Sequence, residues 1–369
     1  MCVMSQGTEA AENAVDGAEA ESVAARPGFH RVVNERDGKV FEVKHKELLL
    51  MSAIQQEIDY PHNCRVGTCG TCKTKLLSGK IRPLVDFALS PLTNEELAQG
   101  YVLACQSMVN SDLRIDVSIG NHVTIPYRRV SGRVSSWRRL PGQVIDVRVR
   151  LDEPLPFMAG QYCQLAESGS FTRRNYSFYD LPPDPDGEGA EEVGFLVKYI
   201  PGGKLSGWLN EMNRTGTKMW LHGPQGRTGL EDEDSDAICI AGGTGLAPIA
   251  SILADRIRRH PGTKFTVIFG VKGADDLFAR EVISDLLEQA GDRIRFIEIV
   301  SDEPDGTGWE GPRGLVTDAL TPDLVDDYST KAAYVCGNLP MVEACEKKLV
   351  ELGVDPEHIH ADKFIPTGA

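Results

Sequence analysis

The sequence predicts a multidomain protein of three unlike parts: a small α+β unit, an antiparallel β-barrel, and an α/β unit built on a parallel sheet. At 369 residues the chain has room for two or three domains. Its apolar rhythm changes twice, first from mixed helix and strand patterns to short β runs, then to strands alternating with helical stretches. Four of its nine cysteines, Cys64, Cys69, Cys72 and Cys105, gather in the first part.

Residues 1–27 carry five acids, one base and almost nothing apolar, so they read as a disordered tail. Across 28–120, Lys39–Val43 alternates as a strand and Leu48–Glu57 has helical apolar spacing. Ser90–Gln99 reads as a helix with Pro91 just inside its start, and Leu113–Val117 as a closing strand. Across 121–229, the runs Val130–Val134, Gln143–Leu151, Gly160–Gln164, Asn175–Tyr179 and Gly194–Tyr199 predict an antiparallel barrel or sandwich. Pro182–Glu192 reads as an exposed loop. Across 230–369, Ala237–Ala241, Phe265–Gly270, Arg295–Val300 and Ala333–Cys336 are strands, with helices over Pro248–Arg258 and Val282–Ala290 between them. That alternation predicts a doubly wound parallel sheet.

The net charge of −15 argues against a nucleic-acid partner. The excess acid lies in residues 230–369, with 27 acids against 13 bases. No apolar run is long enough to span a membrane, and no basic-then-apolar leader precedes the first domain, so a cytoplasmic protein is expected. An odd cysteine count without a leader argues against a disulfide framework.

Cys64, Cys69 and Cys72 followed by Cys105 give the spacing C-x4-C-x2-C…C of plant-type [2Fe–2S] proteins. Two irons bridged by two sulfides need four converging thiolates. A tight loop supplies three of them, and Gly67 and Gly70 let it wrap closely. Zinc is the alternative, but zinc sites usually pair two C-x2-C knuckles and Cys105 has no such neighbour. Cys2, Cys163, Cys239 and Cys345 stand alone. A plant-type cluster, at about −400 mV, takes one electron and no hydride. A chain that also binds a nicotinamide therefore needs a flavin between the two.

Arg174, Asn175, Tyr176 and Ser177 fall on a β run and offer a cation, a flat ring and a hydroxyl donor. Gly202, Gly203, Lys204, Leu205 and Ser206 form a turn leading into a helix over Leu205–Met212, a place where backbone N–H groups favour phosphate. Gly242 to Pro248 join a strand to a helix through a Gly-rich turn that approaches a pyrophosphate. Pro248 replaces the third glycine of the ordinary dinucleotide fingerprint. Cys336, Gly337, Asn338, Leu339, Pro340 and Met341 make a second turn at a strand's carboxyl end.

Together these residues resemble the ferredoxin–NADP reductase superfamily, in its oxygenase-reductase branch, over roughly residues 28–366. The resemblance implies a ferredoxin (β-grasp) domain over 28–120, a flavin-binding barrel over 121–229 and a nucleotide-binding α/β domain over 230–369. It implies a cluster on Cys64, Cys69, Cys72 and Cys105. FAD falls on Arg174, Asn175, Tyr176, Ser177, Lys198 and Gly202 to Ser206. The pyridine nucleotide falls on Gly243, Thr244, Gly245, Pro248, Cys336, Gly337, Asn338, Pro340 and Met341. Phe364 stands where relatives can carry an aromatic cover for the flavin, with simple packing as the alternative. Cys336 is placed beside the nicotinamide and Ser177 near the flavin ring, as the catalytic pair. Ser301, Asp302 and Glu303 stand where NADPH-specific relatives carry arginine, which favours NADH, with Lys272 pulling the other way. The eight histidines are read as non-catalytic.

The implied activity is hydride transfer from NADH to FAD, then single electrons through the cluster to a terminal oxygenase. A Rieske-type aromatic-ring hydroxylase is the expected partner. A di-iron hydroxylase, a desaturase, a haem monooxygenase, or a non-enzymatic redox carrier on the same fold are the alternatives. Arg65, Lys73, Lys75, Lys80 and Arg82 lie in and after the cysteine loop and read either as cations that dock an acidic partner or as ordinary solvated side chains.

Overall fold

The computed structural model describes residues 26–62, 65–120, 125–229, 234–304 and 306–364. Residues 1–25 of the expected tail, Cys64 and His122 lie outside them; Arg26, read as part of the tail, donates its backbone N–H to Glu42 at 2.9 Å.

The first part contains β1 (Phe29–Asn34), β2 (Val40–Lys44), α1 (Leu49–Gln55), β3 (Lys73–Ser78), β4 (Ile81–Pro83), α2 (Asn94–Ala98), β5 (Tyr101–Leu103), β6 (Ser107–Val109) and β7 (Leu113–Asp116). Five strands form one sheet in the order β2-β1-β7-β3-β5, with β4 and β6 paired beside it. β1 and β7 run parallel, and the other pairs are antiparallel. α1 buries Leu49, Leu50 and Ala53 in a core shared with Val32, Val43, Leu113 and Ile115. The second helix starts later than its proline suggested. Thr93 and Glu96 form a reciprocal capping box, which satisfies two orphan donors and so sets the start. Pro91 is left in the loop before it.

The second part contains β8 (Arg128–Leu140), β9 (Val144–Leu155), β10 (Tyr162–Glu167), β11 (Arg174–Ser177), β12 (Ala190–Lys198), α3 (Lys204–Glu211) and β13 (Lys218–Gln225). The sheet order is β11-β10-β13-β8-β9-β12, antiparallel throughout. A bridge from Phe178 to Phe195 ties its two edge strands together and closes the barrel. Inside, Phe157 and Phe178 stack at 4.3 Å among Val147, Val149 and Phe195. Ala190 already belongs to β12, so the acidic loop before it is shorter than the sequence suggested.

The third part contains β14 (Ala237–Gly242), α4 (Leu246–Arg259), β15 (Phe265–Val271), α5 (Ala279–Ala290), β16 (Ile294–Val300), β17 (Ala332–Asn338), α6 (Leu339–Leu352) and β18 (Ile359–Phe364). Its strands are all parallel in the order β16-β15-β14-β17-β18. The winding direction reverses between β14 and β17, which makes that pair the switch point. α6 is set by the Asn338 side chain accepting from the Met341 N–H, with Pro340 in its first turn.

The parts join in two different ways. Leu140, Val144 and Leu196 of the barrel share one apolar core with Ala241, Phe269 and Phe278 of the parallel sheet. The first part keeps a separate core and meets the barrel through an ion pair, Arg227 Nε to Asp59 Oδ1 at 2.9 Å. No helix among the described residues is long and apolar enough to cross a membrane.

Candidate functional site

A cavity of about 1020 Å³ opens where the three parts meet, at the upper end of the size of ligand sites. Val66 of the cysteine loop reaches it. So do Tyr162 and Arg174 to Ser177 of the barrel, and the carboxyl ends of β14, β15 and β17.

The cysteine loop is shaped by glycine. Gly67 and Gly70 have φ of +84° and +76°, a region costly for residues with a Cβ. A Cβ on Gly67 would also lie 2.8 Å from Gln106 Cγ. Cys69, Cys72 and Cys105 are buried thiols. A hydrogen bond with Cys105, then burial, raises the Cys72 thiol well above its ordinary value, and Cys69 adds to this at longer range. Soft sulfur donors in a tight glycine loop suit an iron–sulfur cluster. Among the described residues, which exclude Cys64, no three ligand-type side chains already form a metal-holding group.

On the barrel, register pairs Tyr162 with Ser177 and Cys163 with Tyr176. Ser177 is buried. Burial pushes the Tyr176 phenol up to about 12, so it presents a neutral ring. Asn175 and Arg174 continue the same wall. Lys198 lines the cavity and its ammonium donates to the Gly142 carbonyl. Gly203, Lys204, Leu205 and Ser206 line it at the start of α3, where the Ser206 hydroxyl accepts from the Ile200 N–H at 3.2 Å. Gly202, at φ +76°, makes the turn but stays off the wall.

At the switch point two glycine turns interlock. A Cβ on Gly245 would lie 2.1 Å from the Cys336 carbonyl oxygen, and one on Gly242 would lie 2.4 Å from Met341 Sδ. This close approach opens a crevice lined by Gly243, Thr244, Asn338, Pro340 and Met341. Phe364 lines the same cavity.

Four residues read as nucleotide contacts sit behind the wall. Gly245 and Gly337 are the packing points of the two turns. Pro248 is buried in the first turn of α4, and Cys336 is fully buried within the sheet core. Burial, with Asp362 beside it, raises the Cys336 thiol well above its ordinary value. Conversely, the sequence reading passed over Tyr162, Arg173, Leu315, Thr317, Asp362 and Lys363, which all line the cavity. Asp362 and Lys363 could have been found from their place next to Phe364. Leu315 and Thr317 come from a loop with no motif.

Two cations read as outward-facing are not. Lys73 pairs with Glu96 at 2.6 Å, and the Nε of Arg65 is shielded from solvent.

A sulfur-rich loop, a barrel wall and a glycine-lined switch point around one cavity define a nicotinamide-linked electron-transfer flavoprotein with its own iron–sulfur unit. Comparison with known proteins agrees. The 2Fe-2S iron-sulfur cluster binding domain matches residues 32–110, and the oxidoreductase NAD-binding domain matches residues 239–347. The chain is 35% identical over 328 residues to the xylene/toluene monooxygenase electron transfer component XylA of Pseudomonas putida, covering 89% of this chain and 91% of that one. It is 32% identical over 310 residues to the reductase component of the Pseudomonas putida naphthalene 1,2-dioxygenase system, covering 83% and 90%. The crystal structure of the Amycolatopsis cytochrome P450 reductase GcoB superposes with a TM-score of 0.73 at 31% identity, covering 91% and 99%. The chain belongs to the reductase components of oxygenase systems, a family of oxidoreductases that work with a [2Fe–2S] cluster, FAD and NAD(H).

Proposed function

We propose that this chain draws electrons from NADH and delivers them singly to a terminal oxygenase, with each cofactor held by the residues named above. The observation that carries this reading is the shared cavity, to which the cysteine loop, the barrel wall and the switch-point crevice all contribute. When bound, FAD accepts a hydride from NADH and passes electrons one at a time to the cluster, chemistry that belongs to the cofactors.

The protein's part is placement. Cys64, Cys69, Cys72 and Cys105 ligate the cluster. Arg174 and the first N–H groups of α3 answer the flavin's phosphates. Tyr176 offers a flat neutral face, and the Ser177 hydroxyl a donor beside the ring. Gly243, Thr244, Asn338, Pro340 and Met341 hold the nucleotide, with Gly245, Pro248, Gly337 and Cys336 shaping that site from behind. Phe364 covers the flavin face. None of the seven described cysteines is in a disulfide, which suits a reducing compartment and supports a cytoplasmic location.

Anaerobic stopped-flow mixing with NADH tests the reading. Flavin bleaching followed by cluster bleaching is expected, and a chain that bleaches neither would refute it. For the partner, the naphthalene dioxygenase relative favours a Rieske-type ring hydroxylase. The relatives named for a monooxygenase and a cytochrome P450 favour the alternative of a di-iron or haem monooxygenase. Reconstituted turnover with one oxygenase of each class separates them. Half-buried Lys75, over the Tyr101 ring at 5.9 Å, and exposed Lys80 and Arg82, beside the strand pair that flanks Cys105, are the cations left to meet an acidic partner.

Cofactor choice turns on the loop after β16. The Glu303 carboxylate accepts from the Ala274 N–H at 2.5 Å. Hydrogen bonds from Thr307 and Ala274 hold it below its ordinary range, so it is an anion at neutral pH. An anion there repels a 2′-phosphate. Glu303→Gln removes the charge and keeps an acceptor for Ala274. The ratio of kcat/KM for NADH over NADPH is expected to fall several-fold; an unchanged ratio would locate the discrimination elsewhere.

A further inference from the structure

The seam between the cysteine loop and the barrel holds a cation without a carboxylate. Arg65 directly follows Cys64 and has a left-handed backbone, φ +59°, uncommon for a residue with a side chain. Its Nε is shielded from solvent and has no hydrogen-bond partner. Its terminal nitrogen lies 3.1 Å from His62 Nε2. Two neutral phenols, Tyr162 and Tyr127, are near it. Tyr162 lines the cavity and pairs in register with Ser177. On the other side, Gln106 Nε2 donates to the Arg65 carbonyl at 3.2 Å and lies 3.7 Å from Cys105 Sγ. Arg65 therefore stands between the thiol group and the cavity wall.

The local charges do not balance. Asp59 is taken by Arg227. His62 Nδ1 donates to the Tyr60 carbonyl at 2.7 Å, which leaves its Nε2 to accept from Arg65, so this neighbour brings no negative charge. Among the described residues no carboxylate pairs with Arg65. A shielded cation with no counter-ion is costly. Four thiolates around two ferric ions and two sulfides form a net anion, and reduction adds one more negative charge.

We infer that Arg65 is the counter-charge of the cluster and favours its reduced form, drawing electrons across the seam from the flavin side. This rests on the cluster assignment proposed above. Charge near a cluster is one of the protein's levers on its potential, and a shielded charge acts with little screening.

The test is a potentiometric titration of the full-length holoprotein, following the cluster by EPR. Arg65→Gln is expected to lower the cluster midpoint by about 59 mV, a tenfold change for one electron, at low and high salt alike. Arg65→Lys should restore most of it, because charge and not fork geometry is the agent. An unchanged midpoint in Arg65→Gln, or Arg65→Lys behaving as Arg65→Gln, would overturn the inference. If Arg65→Gln assembles no cluster, Arg65→Met is titrated in its place, and a midpoint that stays or rises counts against Arg65. A wild-type chain with no iron–sulfur signal would instead sink the cofactor assignment beneath it.

Discussion

Cys105→Ser is expected to abolish the iron–sulfur absorbance and EPR signal while NADH still bleaches the flavin. Cys105 is buried in a short turn between β5 and β6, 33 residues beyond Cys72, and its thiol touches that of Cys72. Serine nearly matches cysteine in shape but offers a protonated hydroxyl where an iron–sulfur site selects a soft thiolate. The fold of the first part should survive, since its core rests on Leu49, Leu50, Leu103 and Ile115. Electron delivery to a protein acceptor should fall to background, while NADH-driven reduction of ferricyanide, which can draw directly on flavin, continues. A cluster signal that persists in Cys105→Ser would mean that another set of ligands holds it.

The second large effect belongs to Gly245. Its substitution by alanine would put a methyl group 2.1 Å from the Cys336 carbonyl oxygen and 2.6 Å from its carbon. Both are backbone atoms in the middle of a parallel sheet, so neither can swing aside. The ends of β14 and β17 must part, at a cost of about 3 kcal/mol or more. NADH binding should be lost, while cluster and flavin spectra persist, because those sites stand on the other two parts. Gly243→Ala is the contrast. Its φ is +52° and a Cβ there meets nothing within 4 Å, so only backbone strain of roughly 1 kcal/mol is expected. Scanning calorimetry together with NADH titration distinguishes the two. Equal losses would mean that the turn tolerates no side chain anywhere, and the close approach of Cys336 would lose its meaning.

Chemistry that depends on local spacing was legible in the sequence. Three thiols within nine residues, and a glycine turn between an apolar strand and a helix, announce themselves because neighbours in the chain do the work. What depends on distant neighbours was not. β13 went unread because Gly223 and Pro224 look like a turn, although register pairs the strand with both β8 and β10. β18 went unread because Ile359–Phe364 is too polar for a buried strand, and it lies at the sheet's edge. Cys336 was read as facing ligand, but strand parity turns its side chain into the core with Tyr334. Lys73 and Arg65 were read as surface cations because nothing in their own segments foretells Glu96 or the barrel.

The unequal seams of the molecule bear on how it can be taken apart. A chain severed after Gly120 should yield a thiol-bearing module that keeps its own packing, because its apolar core is separate and the contact opened at Asp59 and Arg227 is an ion pair. Prising the barrel from the parallel sheet would instead bare Leu140, Val144 and Leu196 to water. The iron–sulfur unit is thus an exchangeable cartridge, and the remaining two thirds behave as one indivisible body.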